Sequence, residues 1–340
     1  MDFKEYIAEH KKMVYSTICD YVQIKEPKAH YSIMRDYIDR QGSYRRPGLI
    51  LLTGQMFGVS TEQLRLPASA MQLSEDWILM QDDVEDDSEL RRGKPAAHKL
   101  YGWIHTMNAT NVGQIAMWRM LKDYILKYGV QNGNKIYQKF YDMLAYTMEG
   151  QYIENNFIYD IKNLSKVSED FYFKVVDSKT CYYTVYGPLQ VGAIAANQPD
   201  STLEILKKIG TPGGISFQIT DDILDIIADE KVFGKKNLGD LYEGKVTLIM
   251  LNTYKNATAA EKGRIDAIYS KSRKDKTPDE INFLLELIKK YNSIDYAKDV
   301  AKKYGELAKI AVEENMNKLP NNEYTTMLLS SIKDLYSRNK

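Results

Sequence analysis

Two stretches of this 340-residue chain gather carboxylates beside apolar sequence. Residues 82–93 read DDVEDDSELRRG, six carboxylates and two arginines shortly after the run WILM, and residues 221–225 read DDILD within FQITDDILDII. An unpaired carboxylate is expensive to bury against apolar neighbours, so each run needs a cation. In a helix, positions i and i+4 share a face. Asp82 and Asp86 therefore project together, with Asp83 and Asp87 on the adjoining strip, and Asp221 and Asp225 repeat the pattern with Asp222 beside them. Two such helices facing one another make a mouth lined with carboxylate oxygens. That donor set suits Mg²⁺, a hard ion that keeps several waters and bridges one or two carboxylates to substrate phosphates. It does not suit Zn²⁺, because His10, His30, His98 and His105 show no ligand spacing. Arg91 and Arg92 add guanidinium forks that bind phosphate bidentately. An acidic helix followed by an arginine pair implies one anionic ligand held from both sides, with the carboxylates kept ionised by the cations. For either acidic run alone, a solvated helix end is the competing reading.

The elements that must position these groups read as helices. Apolar residues recur at helical spacing in MDFKEYIAEHKKMVYSTICDYV, AMWRMLKDYILKYG, FYDMLAYTMEGQYIENNF, SEDFYFKVVDSKTCYYTVYGPLQVGAIAA, STLEILKKIG, ISFQITDDILDIIAD and EINFLLELIKKY, with no sustained period-2 alternation. The acidic helix is predicted to begin after Leu66, with Pro67 at its first position. Pro212 is predicted at a joint, and Pro188 is predicted to kink a helix. The result is an all-α chain without a linker, read as one domain over residues 1–340. Residues 228–245, rich in Gly and Lys, read as a loop able to cover phosphate. Net charge is zero, with Lys+Arg and Asp+Glu both 46, which gives no general case for nucleic acid or an anionic membrane. Two cysteines, Cys19 and Cys181, with no CxxC pair, no apolar signal core and no membrane-length run, point to a cytoplasmic protein.

At these residues the chain resembles the trans-isoprenyl diphosphate synthases, the polyprenyl synthetase family. Five segments match in order: QGSYRRPGLILL resembles GGKxxRP, DDVEDDSELRRGKPAAH the first aspartate-rich motif, DSKTCYYTVYGPL the KT motif, FQITDDILD the second aspartate-rich motif, and GKKNLGDLYEGKVTL the lysine-bearing loop. The resemblance implies a helical bundle around a deep cavity, a homodimer, and Mg²⁺-dependent head-to-tail condensation of isopentenyl diphosphate with an allylic diphosphate. It implies Asp82, Asp86 and Asp221 as principal Mg²⁺ ligands, supported by Asp83, Asp222 and Asp225. Arg91, Lys179, Lys235 and Lys245 would hold the allylic diphosphate, and Arg46 and Arg92 the isopentenyl diphosphate. Lys179, Thr180 and Gln218 would stand at the reacting carbons, the oxygens of the latter two facing a developing cation.

Several positions depart from the family. The lysine of GGKxxRP is Ser43, Glu75 stands where His or Gln faces isopentenyl diphosphate, and residues 109–111 read ATN instead of AGD. Ser43 and Glu75 both fall on the isopentenyl diphosphate subsite, where Glu75 would repel a diphosphate unless an arginine such as Arg45 compensates. Modified contacts, a different second substrate, or a regulatory or low-activity subunit of a heteromeric synthase would each account for this. The first is preferred because both acidic motifs, Lys179-Thr180 and Gln218 are intact. A class I terpene cyclase fits less well, since it would usually replace DDILD. In this family large residues just before the first motif form a floor for the growing tail. Trp77 and Ile78, with the small Ser74 a turn earlier, therefore imply a short product, geranylgeranyl diphosphate first and farnesyl diphosphate second. Core packing is the alternative role for Trp77.

Overall fold

The computed structural model describes residues 1–227 and 238–336. Lys235 lies outside the described residues, together with the rest of residues 228–237. Those described are almost wholly helical, as expected. Helices α1 (Phe3–Tyr21), α2 (Lys28–Asp39) and α3 (Arg45–Met56) precede the first acidic helix, α4 (Thr61–Glu85). After a short α5 (Ala97–Tyr101) come the long antiparallel pair α6 (Trp103–Tyr128) and α7 (Val130–Asn156). Then follow α8 (Glu169–Val176), α9 (Gly187–Ala195) and the second acidic helix, α10 (Asp200–Ile227). The chain closes with α11 (Gly239–Glu243), α12 (Leu248–Asn256), α13 (Ala259–Tyr269), α14 (Pro278–Lys290), α15 (Ser293–Asn315) and α16 (Glu323–Tyr336). No helix among the described residues is long and apolar enough to cross a membrane.

Three boundaries differ from expectation. Helix α4 starts at Thr61, six residues before Pro67, because Ser60 caps it by accepting from the Gln63 amide at 3.3 Å. Pro67 is therefore internal, and the helix is carried through it by burial against its neighbours. Pro212 is likewise internal to α10, where Gly214 passes so close to Cys181 that a Cβ there would stand 2.9 Å from Sγ. Tertiary contact keeps the helix continuous where local propensity would end it. Ahead of Pro188, which sits in the first turn of α9, the backbone widens into a π-helical stretch, Asp177–Tyr186. The extra residue per turn re-registers the helix before the proline, and such stretches gather at functional sites. This one carries Lys179 and Thr180.

Helix α10 joins the two apolar cores. Leu206 and Ile209 belong to a cluster with Leu49, Leu52, Met71, Met117, Phe140 and Leu189, whereas Ile215, Ile219 and Ile223 pack with Tyr172, Leu248, Ile265 and Leu284. Helix α4 lies chiefly against α3 and α6, and α10 against the π-helical stretch and α15. Both acidic motifs occupy the C-terminal ends of these long, well-anchored helices.

Candidate active site

A helix C-terminus carries partial negative charge, so carboxylates in its last turn are doubly disfavoured. No basic residue occupies the last turn of α4. The cations come from elsewhere in the chain. Just beyond α4, Leu90–Arg91 pairs antiparallel with Lys94–Pro95 across a tight turn in which Arg92 and Gly93 both have positive φ, 51° and 75°. This hairpin sends its two arginines to different partners. Arg91 turns to Asp83, its Nε 2.9 Å from both carboxylate oxygens, and stands 3.6 Å from Asp82. Asp83 is fully buried and also accepts from the Tyr37 hydroxyl at 2.6 Å, so both its oxygens are engaged within the protein. Arg92 reaches Asp76 at 3.0 Å and the Tyr37 carbonyl at 3.1 Å.

From the opposite side come two lysines. Lys179, on the π-helical stretch, pairs with Glu154 and lies 4.0 Å from Asp82. Burial works against its charge, but Glu154 and Asp82 outweigh it and hold its pKa above the ordinary lysine value. Lys245 follows α11 and contacts Asp86 at 3.1 Å, Glu243 at 2.7 Å and Asp240 at 3.8 Å. Asp82, Asp86, Arg91, Asp225, Asp240, Glu243, Lys245 and Arg273 line one cavity of about 120 Å³. The acidic ends of α4 and α10 thus share a single space, with a lysine between them. Asp225 accepts the Asp240 amide at 3.0 Å, tying α11 to the end of α10.

An adjoining cavity of about 110 Å³ is lined by Lys179, Thr180, Gln218, Asp222, Asp240 and Lys245 among others. Here a hydrogen-bond chain fixes the polar groups. The Thr180 hydroxyl donates to Gln218 Oε1 at 2.6 Å, the Gln218 amide donates to Asp222 at 2.8 Å, and the Tyr172 hydroxyl donates to the other Asp222 oxygen at 2.7 Å. Asp221, on the same helix turn, is half-buried.

Burial pushes Asp86 up to about 8, against the opposing pull of Lys245, and pushes Asp222 up to about 7. Oxygen donors disfavoured as bare anions, around a small cavity without imidazole or thiolate, fit a hard dication. Among the described residues no three such side chains form a ready-made metal cage. The fit is therefore to an ion that keeps its waters and bridges few carboxylates to phosphate, which is the chemistry of Mg²⁺.

The second group of sequence-derived residues lies along α3 and α4. Ser43 is exposed. Arg46 contacts Glu75 at 3.1 Å and donates to Thr184 at 2.8 Å, and Arg92 stands 3.6 Å from the other Glu75 oxygen. The arginines compensating Glu75 are thus Arg46 and Arg92, while the Arg45 guanidinium lies 5.7 Å from the Phe217 ring. Of the residues assigned to a floor, Ser74 bonds to the Tyr183 hydroxyl at 2.9 Å and Ile78 is half-buried. Trp77 turns onto α6, where a Cβ at Gly113 would stand 2.9 Å from Trp77 Cβ.

Sequence reasoning missed several partners. Glu154 on α7, Asp240 and Glu243 on α11, and the Gln151 and Asn155 amides that donate to Glu85 at 2.7 Å each hold a group at this mouth. Arg273 pairs with Glu243 and donates to the Asp86 carbonyl at 3.3 Å, and Lys276 donates to the Leu241 and Tyr242 carbonyls at 3.1 and 2.7 Å. Asp240 and Glu243 lie within the lysine-bearing motif and were there to be noticed, whereas nothing around residues 273–276 marks them.

The polyprenyl synthetase family model matches residues 27–288. The geranylgeranyl diphosphate synthase of Methanosarcina mazei is 28% identical over 323 residues, 94% of this chain and 92% of that protein. The geranylgeranyl pyrophosphate synthetase structure from Pyrococcus horikoshii aligns with a TM-score of 0.84 at 27% identity, covering 99% of this chain and 98% of that one. A polyprenyl synthase from Caulobacter crescentus, solved with calcium and isoprenyl diphosphate, aligns over 99% and 98% of the two chains with a TM-score of 0.85. Its 22% identity makes that a likeness of fold.

Proposed function

The chain belongs to the polyprenyl synthetase family, and from that premise we propose that it condenses isopentenyl diphosphate head-to-tail with an allylic diphosphate to give a short-chain trans-prenyl diphosphate. Geranylgeranyl diphosphate is the first expected product and farnesyl diphosphate the second. The observation that carries the reading is the shared cavity in which Asp82, Asp86 and Asp225 meet Arg91 and Lys245.

Asp82, Asp86, Asp221 and Asp225 would hold Mg²⁺, while Asp83 and Asp222 orient Arg91 and Gln218. When bound, the metal supplies Lewis-acid stabilisation of the departing diphosphate. Arg91, Lys179 and Lys245 take up the charge that develops on the leaving oxygens, an electrostatic role for donors fixed in advance. Lys235, which lies outside the described residues, would join them. Departure leaves an allylic cation, which the oxygens of Thr180 and Gln218 would face. The isopentenyl double bond attacks that cation, and the proton lost from the adduct passes to the released diphosphate. Arg46 and Arg92, with Ser43 and Glu75 at the edge, would place the attacking substrate. Enclosure of the site keeps water from the cation.

Ile104, Ile115 and Leu126 are 61%, 70% and 74% exposed at eleven-residue spacing, one stripe along α6. That stripe supports a homodimer, and the unpaired Cys19 and Cys181 support a cytoplasmic setting. The test is turnover by the purified chain with Mg²⁺, isopentenyl diphosphate and each of dimethylallyl, geranyl and farnesyl diphosphate, following diphosphate release and product length. A discrete twenty- or fifteen-carbon diphosphate supports the proposal. Release without elongation overturns it. No turnover with any starter favours the one alternative that Ser43 and Glu75 support, a regulatory subunit.

A further inference from the structure

The subsite assigned to the second diphosphate is neutralised by the protein's own side chains. Glu75 lies between its two arginines, Oε2 3.1 Å from Arg46 Nη1 and Oε1 3.6 Å from Arg92 Nη2. Asp76, the next residue, takes Arg92 Nη1 at 3.0 Å. The carboxylates are 6% and 1% exposed, so water screens this quartet little. Two carboxylates thus oppose the two arginines from within the protein, Glu75 touching both, while burial pushes Asp76 up to about 7; the exposed Ser43 adds no cation.

The pairing is close without being well bonded. Glu75 Oε2, Arg46 Nε and Arg92 Nη2 are buried and make no hydrogen bond among the described residues, although the charges are in contact. Phosphate oxygens would offer these guanidinium atoms better acceptors than Glu75 does. The pairing is therefore open to exchange, and Glu75 must be outcompeted for the exchange to occur. The lysines at the mouth differ: besides Glu154 and Glu243, they contact Asp82 and Asp86, the groups that would hold a divalent metal. Glu75 stands about two helical turns from Asp82 on α4, outside the cavity that Asp82 and Asp86 line.

We propose that Glu75 is the specificity-determining residue of the second subsite, a resident counterion that competes with the incoming diphosphate for Arg46 and Arg92 and weakens the hold on it. The proposal rests on the condensation reading above. Glu75→Gln preserves shape and removes the charge. The KM for isopentenyl diphosphate falls on the order of tenfold while the KM for the allylic diphosphate stays within about twofold, because a like charge at contact distance is lost from one subsite only. Glu75→Asp keeps the charge and lowers that KM less than Glu75→Gln does. Ser43→Lys, at an exposed position, adds a cation and shifts the same KM downward. An unchanged or raised KM for isopentenyl diphosphate in Glu75→Gln overturns the proposal; if that variant does not fold, an unchanged KM in Ser43→Lys does so. Failure of the condensation reading is recognised separately, by absence of turnover in the unaltered chain. Calorimetry with isopentenyl diphosphate then decides, tighter binding to Glu75→Gln supporting the counterion role and equal binding overturning it.

Discussion

Lys276 should reveal itself in the pH dependence of stability. It is 5% exposed, and its ammonium donates to the Leu241 and Tyr242 carbonyls at the end of α11, a favourable place for a cation. Burial nevertheless pushes its pKa down from 10.5 to about 8, with Glu243 opposing. Between those values the unfolded chain holds a proton that the native chain has lost, so raising the pH favours the native state. Below pH 8 the native protein carries the full penalty of about 3 kcal/mol, which is relieved as the pH climbs toward 10.5. Lys276→Met removes both the penalty and two charge-assisted bonds worth roughly 1.5–3 kcal/mol each. At pH 7.5 these largely offset, and the variant should lose only about 0–3 kcal/mol. The stability difference between the two proteins should then widen by about 3 kcal/mol between pH 7.5 and 10.5. Urea unfolding of both proteins across that range measures the difference directly, and groups common to both cancel. Parallel stability curves would refute the reasoning. Because α11 presents Lys245 to Asp86, the variant should also turn over more slowly at pH 7.5.

The other expectations concern the mouth and the tail. Trp77→Ala should lengthen the products and cost about 3–5 kcal/mol of stability, since the ring fills the contact with Gly113 on α6; an unchanged product ladder would assign Trp77 to the core. Tyr172→Phe leaves an oxygen of buried Asp222 without its donor and should cost about 1–3 kcal/mol, read as a lowered Tm with slower turnover. Chelation of divalent metal should abolish turnover while leaving far-UV circular dichroism intact, because Lys179 and Lys245 already pair with Asp82 and Asp86.

The helical nature of the chain was legible from apolar spacing, and the shared cavity from the i, i+4 aspartates. What failed locally was the reading of proline as punctuation. Pro67 and Pro212 lie inside helices because neighbours hold them there, information that a single segment does not contain. The π-helical register at Asp177–Tyr186 was equally hidden, since Ser178, Thr180, Cys181 and residues 183–186 are all buried and leave no polar face from which a period could be read. Residue types at the mouth were readable, but their pairings were not. Glu154 reaches Lys179 across 25 residues, Arg273 reaches the Asp86 carbonyl across 187, and only topology brings them together. At Glu75 the sequence exposed the conflict with an incoming anion and suggested Arg45 as its remedy. The fold instead pairs it with Arg46 on α3 and with Arg92, which the hairpin turn at Arg92-Gly93 brings to it.

The two diphosphate ends therefore release their cations differently, with a kinetic consequence. A dication held by Asp82 and Asp86 would bring its own charge and relieve their contacts with Lys179 and Lys245, which keep Glu154 and Glu243 as closer partners, so the charge of an arriving diphosphate would be offset by that exchange. Arg46 and Arg92 have no such exchange, and filling their subsite sets a diphosphate beside Glu75 and Asp76. The first subsite should thus be the strong one for any magnesium diphosphate, inorganic diphosphate included. Inorganic diphosphate should inhibit competitively against the allylic substrate, with an inhibition constant at least about tenfold lower than any competitive component seen against isopentenyl diphosphate. Glu75→Gln should narrow that gap by strengthening the second site alone. Equal competition against both substrates in the unaltered chain would mean that Arg46 and Arg92 are as available as the lysines. Charge pairing within the protein would then not be what separates the two sites.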